Sequence, residues 1–215
     1  MGNHDSLFQD RKEAGFLLAE KLKDLGFARD VLILGIPRGG VVVAKAVADI
    51  LGADLDVICA RKLGAPGNPE LAIGAVGQEG KAVLDRELIG DLGVPGSYIK
   101  KEIEKQRKEA KRREIFFRKK RKPLEVLGRE VILVDDGIAT GSTVLAAGKI
   151  IKAKNPKKLV LAVPVAPLRT IGDLEGNFDQ LVILETPADF GAVGRFYQSF
   201  PQVEDGEVKK LLTKK

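Results

Sequence analysis

The sequence predicts an α/β protein with a doubly wound, mostly parallel sheet. Short apolar runs rich in β-branched residues, at 31–36, 55–60, 131–134, 159–165 and 181–185, alternate with stretches of helical period. That is the pattern of strands buried on both faces by helices. Several runs end in Gly-rich or polar turns, the place where open α/β sheets hold ligands. With 215 residues, of which 44% are hydrophobic, the chain suits one such domain carrying an insertion.

Composition excludes other classes. A single cysteine, Cys59, rules out a disulfide framework, and no Cys/His cluster has zinc-site spacing. No apolar run reaches the length of a membrane span, and the start of the chain lacks a signal-peptide pattern. The expectation is a soluble, cytoplasmic protein. The leader M-G-N-H-D-S formally fits an N-myristoylation pattern through Gly2 and Ser6, but so loose a pattern recurs by chance. The lone His4 reads as solvated.

Taken in order, Asp10 and Glu13 predict a capping box. Ala14, Leu17, Leu18, Leu22 and Leu25 give the first helix its apolar face, and Gly26 ends it. The strand at 31–36 runs into Pro37-Arg38-Gly39-Gly40, and a helix over 41–51 follows at once, stopped by Gly52. A strand, a Gly-rich turn and a helix N-terminus make an anion site, with Arg38 adding a fixed charge. The spacing fits neither a P-loop nor G-x-G-x-x-G, and alone it is explained by a turn needing positive φ.

The strand at 55–60, holding Cys59 as a small buried residue, ends in Arg61-Lys62. Residues 64–70 read as a loop by composition, and strands at 71–76 and 81–84 form a hairpin across Gly77-Gln78-Glu79-Gly80. Residues 97–122 predict a long polar helix. Within it, 100–122 holds thirteen Lys/Arg against four Glu, a surplus of nine positive charges, while the chain as a whole carries only +6. Pairs Glu102–Gln106, Glu104–Lys108 and Glu109–Arg113 support the helix, and Tyr98, Ile99, Ile103, Ala110 and Phe117 give it a narrow apolar stripe. Such a helix leans on the domain edge or on a second subunit. A nucleic-acid face or a basic rim attracting an anionic ligand are the functional alternatives.

The most informative stretch is 131–143, V-I-L-V-D-D-G-I-A-T-G-S-T. A buried strand ends in Asp135 and Asp136. Gly137 and Gly141 flank a short loop, and a helix starts near Ser142. Free N–H groups there, with the hydroxyls of Thr140, Ser142 and Thr143, suit a phosphate. Two carboxylates beside a phosphate cradle make sense for a ligand that also carries hydroxyls or a divalent cation. A helix to 154 follows, then a strand at 159–165 whose Pro164 marks an end or irregularity, a helix at 168–175 and a strand at 181–185. Phe190, Phe196, Tyr197 and Phe200 cluster before a last amphipathic helix, and core packing is their default explanation.

The segment 131–143 resembles the 5-phosphoribosyl 1-pyrophosphate (PRPP) signature of the type I phosphoribosyltransferases. The P-R-G-G turn and the R-K-x-G-A-P-G-N-P-E segment are similar to those of the group known as predicted phosphoribosyltransferases. The resemblance covers roughly 31–185. It implies one Rossmann-like domain over 1–215, with a basic helical insertion at 85–125 and a C-terminal hood at 186–215. It further implies that Asp135 and Asp136 hold the ribose hydroxyls, directly or through Mg2+. Ala139, Thr140, Gly141, Ser142 and Thr143 would hold the 5-phosphate, with Gly137 also within the PRPP site. Arg38, Gly39, Gly40 and Lys62 would face pyrophosphate, Glu70 would act from a mobile lid, and hood aromatics would stack on the base. A small-molecule acceptor and a homodimer are also expected. Hypoxanthine–guanine members carry an Asp where this chain has Ala139, which argues against that acceptor type. Two other classes are a PRPP- or nucleotide-sensing RNA-binding regulator and a phosphohydrolase or mutase. The second lacks any catalytic His or Cys.

Overall fold

The computed structural model describes residues 6–119 and 121–213. The leader, with its acylation-like pattern and His4, lies outside them. Helix α1 spans Arg11–Lys23. Asp10 caps it, its Oδ1 accepting from the Lys12 and Glu13 N–H groups at 2.7 and 3.0 Å. The Glu13 carboxylate accepts from the Gln9 N–H, one residue before the capping-box position. Ala14, Gly15, Leu18, Ala19 and Leu22 are buried, whereas Leu17 and Leu25 are exposed. The cause is a close crossing with the next helix: a Cβ on Gly15 would sit 2.7 Å from that of Ala46. The contact therefore runs along small residues and turns Leu17 outward.

Strand β1 (Leu32–Gly35) leads into α2 (Gly39–Leu51) and β2 (Asp54–Val57). Arg61 and Lys62 do not end that strand as expected. They open β3 (Arg61–Ala65), which turns at Gly67, φ +73°, into β4 (Asn68–Val76). The segment expected as a loop is thus the tip of a β-hairpin, because Pro66-Gly67 makes a turn tight enough for the flanking residues to pair. Strand β5 (Val83–Leu84) completes a small antiparallel sheet, followed by α3 (Arg86–Asp91) and the basic helix α4 (Gly96–Arg118). The second half of the chain supplies β6 (Glu130–Val134), α5 (Ser142–Lys152), β7 (Lys158–Val165), α6 (Ile171–Leu174), β8 (Gln180–Glu185) and α7 (Asp205–Thr213).

The main sheet is parallel, in the order β2-β1-β6-β7-β8. Its strands alternate between two cores. Ile33, Ile132, Val134, Val160 and Ala162 meet α1 and α2, while Leu32, Leu34, Leu133, Leu159 and Leu161 meet α5. Burial of β1, β6 and β7 on both faces is why these strands read as unbroken apolar runs. Pro164 lies beyond the last β6–β7 pair, Val134↔Ala162, so its missing N–H leaves that ladder intact.

Helix α4 does lean on the domain. Tyr98, Ile99 and Ile103 pack on the small sheet around Leu63, Ile73 and Val76, and Ala110 and Phe117 are fully buried. Of the expected pairs, Gln106 donates to Glu102 at 2.7 Å, but Glu109 is bound by Arg112 rather than Arg113. The helix ends at Arg118, four residues before the predicted limit, where Arg118 is drawn into a buried contact with Asp56. The aromatic cluster after β8 packs on Phe8, Ala14 and Val165, so its rings are packing partners of one another.

Candidate active site

The strand order reverses between β1 and β6, and ligands of open α/β sheets bind at that point, outside the strands' carboxyl ends. The two turns singled out in the sequence, 37–40 and 135–141, meet there. A Cβ on Gly39 would lie 1.8 Å from Asp136 Oδ2, and one on Gly40 would lie 2.7 Å from the Asp135 Cα. The two glycines are therefore required first by the two acids, which leave no room for a side chain above them. The Pro37–Arg38 peptide bond in this turn is cis.

Asp136 is held from three sides. Its Oδ2 accepts from Arg11 Nε at 2.7 Å, its carbonyl accepts from the Tyr197 hydroxyl at 2.6 Å, and its N–H donates to Asp135 Oδ1 at 2.9 Å. Arg11 also donates to the Pro201 carbonyl at 2.8 Å and lies 3.6 Å above the Phe200 ring. Burial, and then the Asp136 carboxylate, push the Asp135 carboxyl well above the usual carboxylate range. Burial likewise raises the Tyr197 hydroxyl, keeping it a neutral donor.

The loop after the acids is tied down by the Ile138 N–H, which donates to the Val165 carbonyl at 2.9 Å. A Cβ on Gly137 would meet Val193 Cγ1 at 2.5 Å, so the loop also packs on the segment after β8. Gly141, at φ +79°, is the N-cap of α5 and has no side chain to cap the helix, leaving its first-turn N–H groups uncapped by any side chain. Thr140 Oγ1 lies 3.3 Å from Ser142 Oγ beside them, and Ala139 is exposed.

In front of this cradle is a cavity of about 400 Å³ with an apolar floor that includes Ile36, Ile58 and Cys59. Thr140, Ser142 and Thr143 line it together with Arg61, Lys62 and Arg113. Burial pushes the Cys59 thiol up to about 12, which makes it an inert part of the floor. Arg38 stands apart: its guanidinium lies 3.7 Å from Asp205, in the adjoining groove between α4 and α7. The backbone of Glu70 is in β4, and its side chain lies outside what is described.

Sequence reasoning missed Arg11, which reads as an ordinary first-turn helix residue, and Arg113, hidden in a run of charges. It also missed the buried set of Asp56, Glu114 and Arg118. Asp56 in an otherwise apolar strand, with Glu114 and Arg118 at i,i+4 spacing, was the available signal.

The start of α5 and the acid pair thus meet at the switch point of a doubly wound sheet. The sequence profile of the phosphoribosyl transferase domain matches residues 5–194, and the chain belongs to that family. It is 43% identical over 206 residues to a Mycobacterium tuberculosis (strain H37Rv) protein named "Putative phosphoribosyl transferase Rv0571c". That match covers 96% of this chain and 46% of the relative, so the chain spans a little under half of the curated relative's length. Among solved structures, the protein TT1426 from Thermus thermophilus is 44% identical, with a TM-score of 0.88, covering 95% of this chain and 97% of that one. AQ2163 from Aquifex aeolicus, at 16% identity, TM-score 0.50 and coverages of 87% and 85%, shares the fold. No helix among the described residues is long and apolar enough to cross a membrane.

Proposed function

We propose that the chain is a Mg2+-dependent phosphoribosyltransferase, moving the 5-phosphoribosyl group of PRPP to a nitrogenous base or related nucleophile and releasing pyrophosphate. The observation that carries this is the meeting of the Gly39–Gly40 turn, the Asp135–Asp136 pair and the uncapped start of α5 at one switch point. The 5-phosphate would take the α5 N–H groups and the hydroxyls of Thr140, Ser142 and Thr143. The ribose hydroxyls would take Asp135 and Asp136. Pyrophosphate would lie toward Lys62. Catalysis would come from positioning the ribose and from stabilising the charge on the departing pyrophosphate.

The donor set suits Mg2+. Two adjacent carboxylates, one of them already disfavoured as an anion by burial and then by its neighbour, gain from a divalent cation. Among the described residues no group of three or more His, Cys, Asp or Glu forms a cage. That agrees with an ion held by one or two carboxylates and substrate phosphates. When bound it would neutralise charge on pyrophosphate. Asp135 and Asp136 are its proposed ligands, with Arg11 keeping Asp136 in place. Glu70 on the β3–β4 hairpin remains the proposed lid acid, and a cytoplasmic homodimer the proposed working form. Ala139 leaves the acceptor without a carboxylate at that position. The regulator reading loses part of its surface, since Arg118 and Phe117 are buried and Lys209 Nζ lies 3.2 Å from the Phe116 ring centre.

The test is calorimetric titration with PRPP, with and without Mg2+, on the wild type and on Asp135→Asn/Asp136→Asn. Saturable, Mg2+-dependent binding that disappears in the double variant is expected. Equal affinity in both proteins refutes the site.

A further inference from the structure

We infer that the basic helix α4 is a wall of the ligand cavity, with Arg113 contacting a diphosphate and Gln106 positioning Arg61 beside it. The identity of that diphosphate as the leaving group of PRPP rests on the reading above; the anion site itself does not.

The first support is how firmly α4 is registered. Arg118 Nε donates to Asp56 Oδ1 and Oδ2 at 2.8 and 3.0 Å, its Nη1 bonds Glu114, and Glu114 Oε1 accepts from the Cys59 N–H at 2.9 Å. Cys59 is itself part of the cavity floor. The helix can neither slide nor turn about its axis without breaking this buried set. The second support is spacing. Gln106 and Arg113 are seven residues apart, which puts them on one side of the helix. Gln106 accepts from Arg61 Nε at 3.0 Å, and Arg113 reaches the same cavity two turns later.

The third support is charge. Arg61, Lys62 and Arg113 all line the cavity, and no carboxylate among the described residues does. Arg112, the preceding residue, is instead bound by both oxygens of Glu109 at 2.8 Å. Arg113 is the α4 residue that lines this cavity, and it borders the adjoining groove with Arg38 and Asp205 as well. A monophosphate is already served by the start of α5, whose Ser142 and Thr143 line the same cavity. Arg61 and Arg113 line the cavity that the cradle opens into, beside Lys62, and this basic lining suits a further anionic group, for which a diphosphate is the fitting class.

The test is calorimetric titration with inorganic pyrophosphate, PRPP and ribose 5-phosphate, in Mg2+ buffer, on the wild type, Arg113→Gln, Arg113→Lys and Lys111→Gln. Losing one charge-assisted contact should weaken pyrophosphate and PRPP about 10- to 100-fold in Arg113→Gln. Ribose 5-phosphate should bind as in the wild type. Arg113→Lys should recover part of the loss. Lys111 is exposed and outside the cavity, so Lys111→Gln should bind all three ligands as the wild type does. Wild type that fails to bind pyrophosphate overturns the wall, as does wild-type pyrophosphate affinity in Arg113→Gln or an equal loss in Lys111→Gln. Pyrophosphate binding through Arg113 without PRPP binding would keep the wall and refute the transferase. PRPP binding unaffected by Arg113→Gln would do the reverse.

Discussion

Replacing Arg118 with Met should unfold the joint between α4 and the main sheet. In the native protein the side chains of Arg118, Asp56 and Glu114 are 8%, 3% and 5% exposed. Arg118 supplies two bonds to Asp56, one to Glu114 and one to the Val57 carbonyl at 2.5 Å. Without it two carboxylates stay buried with only backbone N–H partners, from Val57 and Leu124 on Asp56 and from Cys59 on Glu114. Breaking a buried ion pair from one side costs about 3–5 kcal/mol. For a chain of this size that lowers the melting temperature by about 6–20 °C.

The deficit should depend on pH. Burial already holds the Glu114 carboxyl above its ordinary value, and the Arg118 charge works against that rise. Removing Arg118 raises it further, so the native variant keeps a proton that the unfolded chain releases. Its stability is then greatest below the unfolded carboxyl value and falls as pH rises toward the native one, by about 1.36 kcal/mol per pH unit within that window. Urea denaturation at pH 5 and pH 8 should give the larger deficit at pH 8. Adding Asp56→Asn and Glu114→Gln should return most of the loss, because no charge is then buried alone. A deficit below about 1 kcal/mol, the range of a surface pair, or one that grows on acidification, would refute the reasoning.

Further outcomes follow from the acidic pair. Gly39→Ala puts a methyl where the Asp136 carboxylate sits, so PRPP titration should lose its signal while the far-UV spectrum is kept. Gly40→Ala meets the Asp135 Cα and the Val134 carbonyl at 2.7 and 2.9 Å. That backbone clash should cost about 1–3 kcal/mol in urea titration. Arg11→Leu removes the charged bond to Asp136 and should cost about 1.5–3 kcal/mol, read from the urea midpoint. Arg11→Lys should recover little, since one ammonium replaces a fork that reaches Asp136 and Pro201 together.

The core of the fold was legible because β1, β6 and β7 are short apolar runs set between turns. Asp135, Asp136 and the start of α5 could be read for the same reason: one continuous segment holds the whole cradle. The β3–β4 hairpin could not, because Gly64 to Glu70 has loop composition and its pairing depends on a turn that Pro66-Gly67 fixes only in context. The role of α4 was hidden by its charge. Its residues look alike in sequence, and only packing separates buried Arg118, cavity-lining Arg113 and paired Arg112. Arg11 lies 125 positions from Asp136, a separation no local pattern can bridge.

The order of strands also sets a timetable for making the protein. β1 pairs with β2 on one side, Leu32 with Asp54, but its other neighbour is β6, Leu32 with Val131. A ribosome adding about 5–20 residues per second emits the first of these partners within seconds and the second only after the whole β3-to-α4 segment. Until then the apolar edge of β1 has no mate, and its exposure to other nascent chains lasts as long as translation of that segment. Slow codons placed between β2 and β6 would lengthen this exposure, whereas the same codons after β7 would fall when the site's two halves are already joined.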